Sequence, residues 1–162
     1  MSLEIRVGQG FDVHRSGDDP ERPMVLGGCR FPGVPALVGH SDGDAVAHAV
    51  TEALLGAAGL GDIGHHFPDT DERYRGADSI DLLRRVAAEV REAGWAVGNA
   101  DCSVICERPR LAPMRDEMQR RLADAVGAPV TVKGRRPEGL GALGRDEGIA
   151  CFAVTVLVRG AA

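Results

Sequence analysis

The sequence predicts an α/β or α+β domain, helices packed on one mixed β-sheet, and two observations carry that prediction. Apolar positions switch repeatedly along the chain between a period near two and a period near 3.6, so strand-like and helix-like segments interleave. Gly, Pro and Asp punctuate the switches, with no internal repeat and no linker. At 162 residues the chain is expected to form one domain, residues 1–162, with a single packed core.

Residues 3–14 alternate loosely as a strand through Ile5, Val7, Phe11 and Val13, with Gly8 and Gly10 permitting close backbone approach. Asp18, Asp19, Pro20 and Pro23 mark a turn, and Val25–Phe31 reads as a returning strand closed by Pro32 and Gly33. Residues 42–59 read as a helix capped by Ser41 or Asp42 and stopped by Gly59 and Gly61. Its apolar stripe is Val46, Val50, Ala53, Leu54 and Ala57, which leaves Asp44, His48 and Leu55 on the opposite side. Residues 61–77 form a loop dense in Gly, Asp, His and Pro, a kind of segment that more often carries function than scaffold. A second helix spans about 78–93, opened by Asp78 and Asp81 and striped by Ile80, Leu83, Val86, Ala87 and Val90. A strand follows from Trp95 to Cys106, and a third helix runs from Pro113 to Gly127. Val130–Lys133 begins another strand and 134–148 is a Gly-rich basic loop. Ile149–Val158 is apolar on both faces, as a central or interface strand is.

A net charge of −5 argues against a nucleic-acid partner, since those binders carry a basic excess. Positive charge is nevertheless local: Lys133, Arg135 and Arg136 share one loop, and Arg108 and Arg110 flank Pro109. Small basic patches on an acidic chain suit a phosphorylated small molecule. No apolar run is long enough to span a bilayer, and residues 1–15 lack the apolar segment of a signal peptide, so a cytoplasmic protein without a membrane partner is expected. Cys29, Cys102, Cys106 and Cys151 form no CxxC pair and read as buried reduced thiols.

The chemistry-bearing residues are few. Asp12 and His14 stand two apart on a strand, so both side chains leave the same face. His48 stands four after Asp44 on a helix, so these two share a helix face. One carboxylate and two imidazoles from a strand and a helix are what a zinc site with one open position requires. Taken singly, the same residues also allow Asp12 as a turn cap and the histidines as surface groups.

Four segments, GFDVH (10–14), GHSDGDAVAHAVTEALLGA (39–57), GDIG with FPDTD (61–71) and GRDEGIA (144–150), resemble the 2-C-methyl-D-erythritol 2,4-cyclodiphosphate synthase family, in order and at matching separations. The resemblance implies a homotrimer with active sites between subunits. It implies a Zn2+-type ion on Asp12, His14 and His48, and a second, Mg2+- or Mn2+-type ion on Glu138. His40 would bind the diphosphate and stabilise the transition state, beside Ser41 at an anion-favouring helix start, and Asp44 would orient a ligating imidazole. Asp62, Ile63, Gly64, Phe67, Pro68, Asp69, Thr70 and Asp71 match positions that contact the erythritol phosphate. Cys106, Arg110, Leu111 and Ala112 match the segment around the cytidine diphosphate. Arg145 and Glu147 match residues lining a central trimer cavity where a phosphorylated isoprenoid binds in some members.

One stretch departs from the family pattern. Arg135, Arg136 and Pro137 stand where a run of threonines is usual, so the hydroxyl expected at position 136 is missing. Either Arg136 supplies positive charge to the diphosphate in its place, or the loop has drifted and catalysis is altered. The implied reaction is metal-dependent closure of 4-diphosphocytidyl-2-C-methyl-D-erythritol 2-phosphate to the 2,4-cyclodiphosphate with release of CMP. A zinc-dependent phosphohydrolase and a non-catalytic trimer that binds phosphorylated ligands are the other two classes these residues allow.

Overall fold

The computed structural model describes residues 3–160. Its strands are β1 (Glu4–Arg15), β2 (Pro23–Leu26), β3 (Cys29–Pro35), β4 (Ala96–Ile105), β5 (Val130–Arg135) and β6 (Gly148–Arg159). Its helices are α1 (Ala45–Ala58), α2 (Ile63–His66), α3 (Ser79–Glu92), α4 (Arg115–Val126) and α5 (Gly141–Gly144). The main sheet has the order β1-β6-β4-β5, with β6 antiparallel to both neighbours and β4 parallel to β5. A parallel pair needs a crossover, and α4 supplies it. The result is an α+β fold with a mixed sheet covered on one face by α1, α3 and α4.

Several expectations about the elements change. Val25–Phe31 is not one strand: Gly27 and Gly28, at φ 55° and 74°, turn the chain back, and β2 and β3 form a separate two-stranded sheet. Helix α1 does not present one apolar stripe either. All its residues but Glu52 and Gly56 are buried, because it is sandwiched between the β1–β6 half of the sheet and α3. The reason lies in small residues on both partners. A Cβ on Gly8 would stand 1.9 Å from the Ala53 carbonyl oxygen, and one on Gly10 would stand 1.9 Å from that of Ala49. Only glycine lets the α1 backbone rest directly on β1. That approach brings the last turn of neither element but the first turn of α1 over the C-terminal half of β1, where Asp12 and His14 lie.

The segments predicted as loops hold short helices. Residues 61–77 contain α2 and a single 3₁₀ turn at Glu72–Tyr74, and 134–148 contains α5. Pro113 sits in another 3₁₀ turn, Ala112–Met114, ahead of α4. Asp78 caps α3 as expected, accepting from the Ile80 and Asp81 N–H groups.

Strand β6 is apolar on both sides for two different reasons. Ile149, Cys151, Ala153 and Leu157 face the helices and are buried. Phe152 and Val154 stand on the opposite face with Ile5, Val7, Phe11 and Val13 of β1, all exposed, Val7 at 66%. Phe11 and Phe152 stack there with centroids 4.9 Å apart. Further across, on β4 and β5, the pattern turns polar with an Asp101–Lys133 ion pair at 2.5 Å. All four cysteines are buried and free. No helix among the described residues is long and apolar enough to cross a membrane.

Candidate metal centre

Asp12 and His14 leave β1 on the same side as Gly8 and Gly10, toward α1, and His48 meets them from the first turn of that helix. Asp12 Oδ2 lies 2.8 Å from His14 Nδ1 and 3.4 Å from His48 Nδ1. One ligand atom from each residue lies within 4.8 Å of the other two, and the rings sit 5.2 Å apart at the centroids. The short contact between Asp12 and His14 lacks hydrogen-bond geometry. Both Asp12 Oδ2 and His14 Nδ1 are left buried without a hydrogen-bond partner. Buried polar atoms ordinarily have one. A shared divalent cation is a partner that would satisfy all three groups, and the donor set suits one: two imidazoles and one carboxylate.

The electrostatics point the same way. Burial works to raise the Asp12 carboxyl, but the His14 and His48 imidazoles outweigh it and hold Asp12 below the usual carboxylate range. Burial works to lower His48, but Asp12 beside it outweighs this and holds the imidazole above the ordinary histidine range. In the metal-free protein the site thus favours a positive charge between these groups.

Asp44 does something other than orient His48. Its carboxylate, 0% exposed, accepts from the Val46 and Ala47 N–H groups as the N-cap of α1, and from the Gly27 and Gly28 N–H groups of the β2–β3 turn. Being at the cap, its backbone is extended, so the i, i+4 helix spacing that pairs it with His48 does not apply. The cap of α1 is therefore Asp44, two residues later than Asp42. The same cap removes the free N–H groups expected to attract an anion at this helix start. What meets His48 Nε2 instead is Ser79 Oγ at 2.8 Å and Ser41 Oγ at 3.1 Å.

A cavity of about 480 Å³ opens over the three ligands. Of the residues singled out in the sequence, His40, Ser41, Ile63, Gly64, Phe67, Pro68 and Asp69 line it with Asp12, His14 and His48. His40 Nε2 donates to the Asp71 carbonyl at 2.9 Å, since a carbonyl only accepts. Asp62 caps α2 through the His65 N–H, and Glu52 of α1 accepts from the Ile63 N–H at 2.7 Å, which ties this wall to the helix bearing His48. Asp71 caps the 3₁₀ turn and is clasped by Arg73, whose guanidinium holds its carboxyl below the usual range. Asp62, Thr70 and Asp71 do not line the cavity, whereas Gly39, Tyr74 and Leu82, which the sequence did not single out, do.

Of the remaining candidates, Cys106, Arg110, Leu111, Ala112, Arg135 and Arg136 line a second cavity of about 430 Å³, together with Glu107 and Arg115, whereas Glu138 and Arg145 lie outside it. Arg136 Nη1 sits 3.3 Å from Glu107 Oε1, a pairing with no local sequence signal. Burial pushes the Cys106 thiol up to about 11, so it lines the cavity as a neutral group. Glu138, exposed at φ 55°, belongs to no cluster of three metal-binding side chains among the described residues. Arg145 pairs with Glu147 at 2.6 Å on the surface.

Fold and site together define an α+β protein with a carboxylate–bis-imidazole centre that can hold a metal ion at the floor of an open cavity. Comparison with known proteins agrees. A YgbB family model matches residues 5–158. A 2-C-methyl-D-erythritol 2,4-cyclodiphosphate synthase of Rubrobacter xylanophilus is 56% identical over 158 residues, covering 95% of each chain. The bifunctional enzyme IspD/IspF of Anaeromyxobacter dehalogenans is 51% identical over 99% of this chain, which spans 42% of that enzyme's length. Among solved structures, the CDP complex of IspF from Plasmodium falciparum superimposes with a TM-score of 0.83 at 31% identity, covering 97% of each chain. The chain belongs to the YgbB family.

Proposed function

We propose that this protein closes 4-diphosphocytidyl-2-C-methyl-D-erythritol 2-phosphate into 2-C-methyl-D-erythritol 2,4-cyclodiphosphate with release of CMP, a step of non-mevalonate isoprenoid biosynthesis. The observation that carries the reading is the convergence of Asp12, His14 and His48 beneath a cavity walled by His40, Ser41, Ile63, Gly64, Phe67 and Asp69, in a chain 56% identical to a cyclodiphosphate synthase. The 2-phosphate oxygen attacks the β-phosphorus of the same molecule, the bond to the CMP oxygen breaks, and CMP carries the electron pair away. Phosphate is already ionised near neutrality, so no protein nucleophile is required, and the neutral Cys106 is not one. The difficulty is bringing two anions together in line.

Asp12, His14 and His48 would hold the Zn2+-type ion, and Glu138 would give the single carboxylate that a Mg2+- or Mn2+-type ion takes when substrate phosphates complete its shell. Bound, such ions neutralise phosphoryl oxygens and ease departure of the leaving group. The chain's own residues do the rest. His40, its Nε2–H held by the Asp71 carbonyl, lines the cavity and would bind the diphosphate there. Ile63, Gly64, Phe67 and Asp69 shape the wall for the methylerythritol, and the Cys106–Ala112 segment with Arg110 takes the cytidine diphosphate. Arg136, steadied by Glu107, supplies positive charge to the diphosphate in place of the hydrogen bond that the family's hydroxyl would donate. Arg136→Ala is expected to lower kcat about 100-fold in a steady-state assay, with Arg136→Thr recovering part of it. Undiminished turnover in the alanine variant removes Arg136 from the mechanism.

The two cavities complete each other across a subunit boundary in a homotrimer, one chain giving the metal ligands and the next the cytidine pocket. The support is the exposed apolar face of β1 and β6, a patch of a kind that monomers seldom leave uncovered. Arg145 and Glu147 then line the central channel, where a phosphorylated isoprenoid would bind. Phe152→Glu is expected to shift the mass in light scattering from three chains to one and to abolish turnover; an unchanged mass contradicts this interface. The activity itself is tested by following the substrate with Zn2+ and Mg2+ by phosphorus NMR. The expected products are CMP and the cyclic diphosphate. Linear phosphate would make the protein a phosphohydrolase, and cytidine nucleotide binding without turnover would make it a binding protein.

A further inference from the structure

His48 is gripped on the side away from Asp12 as well. Its Nε2 lies 2.8 Å from Ser79 Oγ, and Ser79 Oγ lies 2.5 Å from Asp42 Oδ1. The Asp42 carboxylate also accepts the Ser79 N–H at 3.0 Å and the Asp44 N–H at 3.1 Å. Ser79 is 1% exposed and His48 8%, so water does not compete for these contacts. We propose that Ser79 and Asp42 are positioning residues of the metal centre: Asp42 accepts the hydrogen bond of the Ser79 hydroxyl, Ser79 accepts the Nε2–H of His48, and the bare Nδ1 is thereby aimed at the cation beside Asp12. The inference rests on the assignment of a divalent cation to Asp12, His14 and His48.

Proton counting carries it. A carboxylate oxygen only accepts, so the contact with Asp42 requires the single Ser79 hydroxyl proton. Ser79 Oγ then has only lone pairs to offer, and His48 Nε2 at 2.8 Å must carry the hydrogen. The other tautomer would set two lone pairs against each other at that distance. Ser41 Oγ, at 3.1 Å, accepts the second branch of the same N–H. A neutral imidazole has one N–H, so Nδ1, which faces Asp12 Oδ2 at 3.4 Å, is the free ligand atom. Donation from Nε2 also makes Nδ1 a better donor to a metal.

The location matters as much as the bonding. Ser79 is the first residue of α3, and Asp42 joins it to the segment leading into α1, where the Asp42 N–H also bonds the Ala77 carbonyl at 3.1 Å. The starts of two helices are thus locked together at the atom that orients the ligand.

The test compares the parent protein with Ser79→Ala and Ser79→Thr, all metal-free. Each is titrated with Zn2+ against a chromophoric chelator, and the His48 tautomer is read by nitrogen NMR at a pH where the ring is neutral. Ser79→Ala is expected to weaken Zn2+ binding about 10- to 100-fold and to populate the Nδ1–H tautomer. Ser79→Thr, which keeps the hydroxyl, is expected to restore both, an outcome that a merely structural role for the serine would not produce. Parent-like Zn2+ affinity together with an unshifted tautomer in Ser79→Ala overturns the proposal. If the parent itself binds no Zn2+, the assignment of the metal centre fails instead, and the tautomer measurement still decides the Ser79–Asp42 arrangement.

Discussion

Asp12→Asn is expected to lower kcat/KM for cyclisation by at least about 1,000-fold while leaving the thermal midpoint close to that of the parent. The two halves of that result have separate causes. The substitution is isosteric and its site is half-buried at the rim of the sheet, so little packing is lost. What changes is charge: an amide does not neutralise a divalent cation, and its neutral oxygen is a weaker ligand than a carboxylate. Electrostatic stabilisation by a bound ion is worth several kcal/mol in phosphoryl chemistry, and each 1.4 kcal/mol is a factor of ten in rate. Zinc content per chain, measured on the same preparation, is expected to fall from one to near zero. An Asp12→Asn protein with parent-like turnover would remove this residue from the centre.

Asp44→Ala is expected to produce the opposite pattern, a large loss of stability with metal binding retained in whatever fraction folds. Four backbone N–H groups, of Gly27, Gly28, Val46 and Ala47, converge on this carboxylate at 2.7–3.1 Å. Alanine leaves all four donors unmatched, three of them fully buried and that of Gly28 partly so. At about 1 kcal/mol each, the low end for such groups, the cost is about 4 kcal/mol, a large share of the stability of an ordinary domain. The thermal midpoint is expected to drop by about 10 °C, which calorimetry reads directly. Asp44→Asn does not rescue it, because one side of the amide presents hydrogens to the same N–H donors. A loss below about 1 kcal/mol would mean that water reaches these groups.

These two aspartates show what was legible in the sequence. The pairing of Asp12 with His14 was readable because a strand has a fixed period of two, so neighbours two apart share a face whatever surrounds them. The presence of Gly8 and Gly10 hinted at close packing, and the structure shows the helix resting there. The pairing of Asp44 with His48 misled for a local reason: helical spacing applies only inside the helix, and Asp44 is its extended cap. The groups that do meet the far side of His48 come from Ser41, seven residues before it, and Ser79, 31 after it. The second separation follows no period, so only the tertiary fold reveals it. The enclosure of α1 was hidden for a related reason. Alanines count weakly toward an apolar stripe, yet Ala45, Ala47, Ala49 and Ala58 are all buried because small residues permit contact on every side. The division of the candidate residues between two cavities likewise depends on how β4, β5 and the loop after α1 are placed, not on any local pattern.

The direct measurement is anomalous diffraction from crystals of the protein grown with Zn2+, with data on both sides of the zinc absorption edge. The expected result is one strong peak per chain, bonded by the Asp12 carboxylate and by His14 and His48, with His48 contributing Nδ1. Density that vanishes from this position, or a zinc ion bound elsewhere while these three side chains stay unligated, would contradict the account.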